Sequence, residues 1–208
     1  MSVVWHTSPV QTIEEAKHRE LLMAGSVPSN TSSFVPVALN DLIGTKIKVI
    51  LGFRGSPDQA LAMMRGETQA IGGMSWEAIQ QNHCEWLDQH LIRILFTQGA
   101  RRIKDLPNDP ALLDFATDER SRNILALLGS GPDIGRSLVA EPAIPPDRRE
   151  ALRKAFMATV EDPDFIADMK RRNLNIEPLS GEDVQKTVAA AAATPKALID
   201  QAKRYIGQ

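Results

Sequence analysis

Apolar positions in the N-terminal half of the chain switch repeatedly between a short continuous run and a helical stripe. Val3 to Trp5 is a short run, followed by a brief helical pattern (Ile13, Ala16, Lys17) that Thr12 caps, with Glu15 at the capping-box position. Leu21 to Ala24 runs apolar up to Gly25, the pattern of a buried strand. Phe34, Val37, Ala38 and Leu42 then recur at helical spacing until Gly44 stops them. Ile47, Val49, Ile50 and Leu51 supply another strand. Pro57 opens the next helix (Ala60, Leu61, Met64), with Asp58 in its first turn, where a negative charge suits the dipole. Gly66 ends that helix and Thr68 to Ile71 make a strand. Ser75 caps a helix carrying Trp76 and Ile79 toward Trp86, and Leu91 to Phe96 is a further strand. Strands alternating with helices of this length predict right-handed βαβ units and a parallel or mixed sheet, an α/β fold.

The pattern changes after that. Thr97 to Pro110 reads as loop, and Thr117 caps a helix through Ile124, Leu127 and Leu128. Gly129-Ser130-Gly131-Pro132 is the strongest breaker in the chain and sets an expected boundary, with one unit over 1–132 and another over 133–208. Beyond it only Leu138 to Ala140 reads as strand. The remainder is helical: Asp147 to Glu161, Pro163 to Arg172, Glu182 to Ala193 and Pro195 to Ile206. Leu152, Phe156 and Val160 make one apolar face. Leu198, Ala202, Tyr205 and Ile206 make another at i, i+4, i+7 and i+8.

Composition narrows the function classes. The 208 residues are 43% hydrophobic and 24% charged, ordinary for a globular protein with a buried core. A formal net charge of −2 gives no footprint for nucleic acid or an anionic membrane. The basic clusters Arg101–Arg102, Arg148–Arg149 and Lys170–Arg172 are interleaved with acids or sit on helices, as solvated faces do. The single Cys84 excludes an internal disulfide. No apolar run reaches membrane-spanning length, and MSVVWH has neither the charged nor the apolar region of an export signal.

In a parallel sheet the ligand crevice lies beyond the carboxyl ends of the strands. Three segments collect there: Ser26 to Ser33, Phe53 to Pro57, and Gly72 to Trp76. In the first, Ser29, Asn30, Thr31, Ser32 and Ser33 surround a helix N-terminus, whose amides and partial positive charge suit a carboxylate without any arginine. The bland reading is an ordinary N-cap, but a cap needs one such residue and this loop offers five. Arg54 is either a bidentate clamp for a carboxylate or an exposed loop arginine. Gly72 and Gly73 permit close backbone approach to a ligand, Ser75 stands beside them, and Trp76 is either a stacking wall or core.

Catalytic constellations are absent. His83, Cys84 and Glu85 are adjacent, so on a helix they point about 100° apart and do not meet. His83 and His90 are roughly 10 Å apart along a helix axis, too far to share a metal. HExxH, CxxC and GxSxG do not occur, and Gly52 to Ser56 lacks the pattern of a phosphate loop. No catalytic residue, metal site or cofactor is expected.

The order of segments carries a resemblance. VVWHTSPVQTIEEAK, then ALNDLIGTKIKVILGFRGSPDQALAMMRGE and GGMSWEAI, resembles the extracytoplasmic solute receptors of tripartite tricarboxylate transporters, the Bug or TctC-like family. DLPNDP, GRSLVAEPAIPPDRREALRKAF and DPDFIADMKRRNLNIEPLSGEDV follow in the family's order. The resemblance implies a type-II periplasmic-binding-protein-like fold in which 1–132 is the ligand-binding second lobe. Residues 133–208 would then be a helical remnant of the first lobe, most of which precedes VVWHTSP in the family. It further implies a small carboxylate as ligand, membrane transporter subunits as partners, and a periplasmic location. The alternative is an enzyme or regulatory effector domain that uses the same fold to recognise an organic acid. The helices of the second unit would normally cover sheet strands that precede Val3. A bare face of ~400 Å² forfeits on the order of 10 kcal/mol. The expected outcome is therefore a homodimer burying the 147–206 helices, with a compact cluster folded on the first unit as the competitor.

Overall fold

The computed structural model describes residues 1–99, 102–172, 174 and 176–207. Arg101, half of one basic pair, and Asn173 and Asn175, in the segment resembling the family's C-terminal helices, lie outside the described residues.

The chain opens as β1 (Ser2–Trp5), α1 (Ile13–His18), β2 (Leu21–Ala24), α2 (Thr31–Ile43), β3 (Ile47–Ile50), α3 (Ser56–Met64) and β4 (Ala70–Ile71). It continues through α4 (Trp76–Asn82), α5 (Cys84–Asp88), β5 (Ile92–Phe96), a 3₁₀ turn (Leu112–Phe115) and α6 (Glu119–Gly129). Then come α7 (Gly131–Ile134), α8 (Pro146–Glu161), α9 (Pro163–Arg171), α10 (Gly181–Ala192) and α11 (Lys196–Tyr205). The strands form one sheet in the order β3-β2-β4-β1-β5. β2 runs parallel to β3 and β4, whereas β1 runs antiparallel to β4 and β5. The sheet is mixed because β1 is the one reversed strand, so its first residue lies at the same end as the last residues of the other four.

Local chemistry explains most boundaries. Thr12 Oγ1 accepts from the Glu15 amide, while Glu15 Oε2 accepts from Gln11 N rather than from the cap itself. Gly44 ends α2 in the left-handed region, with φ of 76°. Four expectations change. The cap of α6 is Asp118, not Thr117, because Asp118 Oδ1 accepts from the Ser121 amide while Ser121 Oγ accepts from the Asp118 amide. β4 is confined to Ala70–Ile71, since Thr68 is still occupied in the turn that closes α3. The helix expected from Trp76 to Trp86 breaks at His83, whose φ and ψ of −146° and 36° are not helical. No strand forms at Leu138 to Ala140; Leu138 and Val139 are 83% and 90% exposed, without a neighbouring strand to pair with.

The chain divides into two compact units, 1–132 with 194–208, and 133–193. In the first, one apolar cluster gathers Leu21, Met23, Leu39, Phe96, Leu125 and Tyr205. A second, centred on Ile71, Met63, Ile79 and Trp86, gathers Met1 and Leu106. α11, grouped by sequence with the second unit, packs against α2 and α6 of the first. In the second unit α8 packs on α9, and Arg153 on α8 reaches Glu182 at 2.5 Å and Gln185 at 3.1 Å on α10. None of its described residues is fully buried.

Candidate functional site

Three loops leave the carboxyl ends of the parallel strands β2, β3 and β4, and backbone bonds strap them together. The amide of Gly25 donates to Ile50 O at 2.9 Å, Gly52 N to Ser26 O at 3.0 Å, and Phe53 N to Gly25 O at 3.4 Å, which joins the first loop to the second. Ser26 is the keystone. Its amide donates to Ser32 Oγ at 3.2 Å, and its hydroxyl oxygen accepts from Gln59 Nε2 at 3.0 Å. The first loop is thereby tied to the first turn of α2 and to α3.

Glycine sets the third loop. A Cβ on Gly72 would lie 1.9 Å from the carbonyl oxygen of Ser32, and one on Gly73 would lie 3.0 Å from Ser32 Cβ. The β4 loop therefore presses directly on the first turn of α2, an approach open only to a residue without a side chain. Gly72 is held there from three sides. Its amide donates to Ala24 O at 3.0 Å, and its carbonyl accepts from Ser2 Oγ at 2.8 Å and from Gln98 Nε2. Met1 and Met74 exchange reciprocal backbone bonds at 2.7 and 2.9 Å beside it.

Each expected ligand residue has a definite place. Asn30 is the N-cap of α2: its Oδ1 accepts from Ser32 N at 2.9 Å, and its carbonyl accepts from Ser33 N and Phe34 N. Capping leaves the Thr31 amide and hydroxyl as the accessible first-turn donors without a partner among the described residues. Ser29 and Asn30 are exposed and Thr31 half-buried. Ser32 and Ser33 are each 2% exposed, and the Ser33 hydroxyl has no partner. Ser32 is brought against Gly72 and Gly73. Arg54 is exposed, with its amide 3.4 Å from Asp58 Oδ2 and its guanidinium unpaired among the described residues. Ser75 is spent as the cap of α4, accepting from Ala78 N at 3.1 Å. Trp76 packs against the second apolar cluster and donates its indole N–H to Asp105 Oδ2 at 3.0 Å.

No family model and no curated protein matches this chain. Solved structures do. A TctC solute-binding protein from Polaromonas superposes with a TM-score of 0.66 at 18% identity, over 96% of this chain and 65% of that one. An R. palustris protein solved with adipate superposes with a TM-score of 0.59 at 15% identity, over 100% of this chain and 64% of that one. The chain has the fold of a TctC solute-binding protein. It spans about 65% of the length of that structure.

Within this TctC-like fold, sequence reasoning placed Ser26 in a crevice segment without a role and missed Gln59 and Gln98; all three position the loops. Gln59 is 1% exposed and its Oε1 has no partner. In the sequence Gln59 is only the polar residue that precedes the apolar run Ala60 to Met64. The expectation that His83 and Glu85 stay apart is corrected. The helix break at His83 brings its Nδ1 to 3.7 Å from Glu85 Oε1, with the His83 ring stacked on Trp86 at 3.9 Å. Cys84 is exposed, with Sγ 4.0 Å from Glu85 Oε2. Among the described residues no group of three or more metal-ligating side chains occurs, and no helix is long and apolar enough to cross a membrane.

Proposed function

We propose that this chain captures a small carboxylate and delivers it to a tripartite tricarboxylate-type membrane transporter. Residues 1–132, with α11 packed on them, act as the ligand-binding lobe, and 133–193 belongs to the other lobe. The observation that carries the reading is the seating of Gly72–Gly73 against the first turn of α2 in a TctC-like fold. That contact gathers the unpaired donors of Thr31 with the Gly73 amide, while the carboxylates nearest the cluster are turned to Arg54 N (Asp58) and the Trp76 indole (Asp105). Backbone N–H groups at a helix N-terminus are suited to a carboxylate. Ser29, Asn30 and Thr31 offer the accessible polar groups and Arg54 a charged one, while Ser32, Ser33, Gly72 and Gly73 shape the cradle and Ser75 and Trp76 close its side.

The chain binds rather than catalyses: closure of two lobes over the ligand is the functional event, in the manner of a Venus flytrap, and the setting is periplasmic. The partners are the transporter's membrane subunits. A second copy of the chain covers the apolar faces of the second unit, making a homodimer. The R. palustris structure with adipate makes dicarboxylates the first ligands to try. A thermal-shift screen of mono- and dicarboxylates, adipate included, tests the reading. At least one should raise the melting temperature, and Thr31→Ala should weaken its binding about tenfold or more, as loss of the one hydroxyl bond to a charged group requires. Thr31 is the informative position, since Ser32 is already engaged with Ser26. A flat screen, or a ligand bound equally by Thr31→Ala, refutes the proposal.

A further inference from the structure

Two turns along α2 from the loop cluster, a groove of about 560 Å³ opens between α2, α6 and α11. Its floor is a hydrogen-bonded chain. Tyr205, 9% exposed, donates its hydroxyl to Asp41 Oδ2 at 2.5 Å. Gln201 Nε2 donates to the same oxygen at 3.1 Å and to the Tyr205 hydroxyl oxygen at 2.6 Å, and Gln201 Oε1 accepts from Arg120 Nε at 3.1 Å. Both ends of the Gln201 amide and the Tyr205 proton are thus spent. The terminal N–H groups of Arg120 and the whole guanidinium of Arg204 remain, with no partner among the described residues.

Two arginines and one aspartate line the groove, giving it a charge of +1 at neutral pH (2 − 1). Arg204 in the last turn of α11 also complements that helix's negative end. Arg120 is the second residue of α6, where the dipole disfavours a cation. It is offset in part by the Asp118 carboxylate two positions before it and by its one bond to Gln201 Oε1. A guanidinium fork matches carboxylate and phosphate oxygens with two parallel bonds.

We propose that the groove lined by Arg120 and Arg204 is a second anion-binding site, taking a small multivalent oxyanion, phosphate or a polycarboxylate, independently of the loop cluster at the strand ends. The test is isothermal titration calorimetry of the full chain with inorganic phosphate and with citrate, at ionic strength matched with sodium chloride. Arg204→Gln leaves the hydrogen-bonded floor intact and should weaken binding of at least one probe tenfold or more. Arg120→Gln with Arg204→Gln should abolish it. Thr31→Ala should leave the Arg204-dependent part of the binding unchanged, which separates this site from the carboxylate cradle. Phosphate binding alone assigns a phosphate ligand, and citrate binding alone a carboxylate one. The proposal is overturned if neither probe binds beyond the chloride control, or if the double variant binds as wild type. It is equally overturned if citrate binding depends on Thr31 and not on Arg204.

Discussion

Gly72→Ala is the sharpest perturbation of the proposed cradle. Gly72 is not among the glycines with positive φ, so its backbone accepts alanine and the cost is one of space. The added Cβ would lie 1.9 Å from Ser32 O, 2.8 Å from its carbonyl carbon and 3.0 Å from its Cα. All three atoms are backbone, and no rotamer change relieves the contact. The β4 loop and the first turn of α2 must separate by about 1 Å, in a setting where overpacking costs roughly 1–3 kcal/mol. Separation also strains the two side-chain bonds to the Gly72 carbonyl, each worth about 1 kcal/mol net. Together these give about 3–5 kcal/mol, or a fall in melting temperature of roughly 6–20 °C for a chain of this size. Scanning calorimetry of the full chain measures it, with Gly131→Ala as control, since nothing lies within 4 Å of the methyl group added there. A Gly72→Ala protein melting within about 2 °C of wild type, under 1 kcal/mol by the same scaling, would refute the close-packing argument.

Tyr205, the chain's single tyrosine, reports its own site. Burial first, and then its hydrogen bond to Asp41, push its hydroxyl up to about 12. The unfolded chain loses this proton near pH 10, so the Tyr205 contribution to stability is full below about 10 and is lost as pH rises toward about 12. Phenolate absorbance should show a folded midpoint near 12, moving down on Asp41→Asn; a midpoint at the unfolded value would contradict the buried network. Trp86 is fully buried against Trp5 at 5.5 Å. Trp86→Ala should cost about 3–5 kcal/mol in urea unfolding, and a loss under about 1 kcal/mol would count against the second cluster as core. Light scattering over a hundredfold dilution should show a dimer dissociating to monomer; a monomer throughout that binds no hydrophobic dye would dispose of the homodimer.

Much of the sheet was legible in the sequence because its strands are short apolar runs bounded by glycine, with the helices between them periodic and capped. The direction of β1 was not. A run such as Val3 to Trp5 carries no mark of whether it pairs parallel or antiparallel, and its order between β4 and β5 is set by contacts some 70 to 96 residues away. Leu138 to Ala140 misled for the converse reason: β-propensity expresses packing against a neighbouring strand, and Val139 has none beside it. The cluster of Ser29 to Ser33 was visible as composition. Its division of labour was not, because burial decides it. Asn30 is spent on capping and Ser32 on the Ser26 amide, leaving Thr31 as the open donor. Gln59 and Gln98 stayed hidden because a positioning glutamine looks like any polar residue until its partner is known.

The central claim is that a carboxylate sits where the β4 loop meets the N-terminus of α2. Titration of ¹⁵N-labelled protein with dicarboxylates of graded length, followed by amide chemical shifts, tests it most directly. The largest saturable shifts should fall on Thr31 and Gly73, with smaller ones at Ser29 and Arg54, and in Thr31→Ala they should need about tenfold more acid to saturate. Saturable shifts confined to other parts of the chain, or none with any acid of the series, would contradict the account.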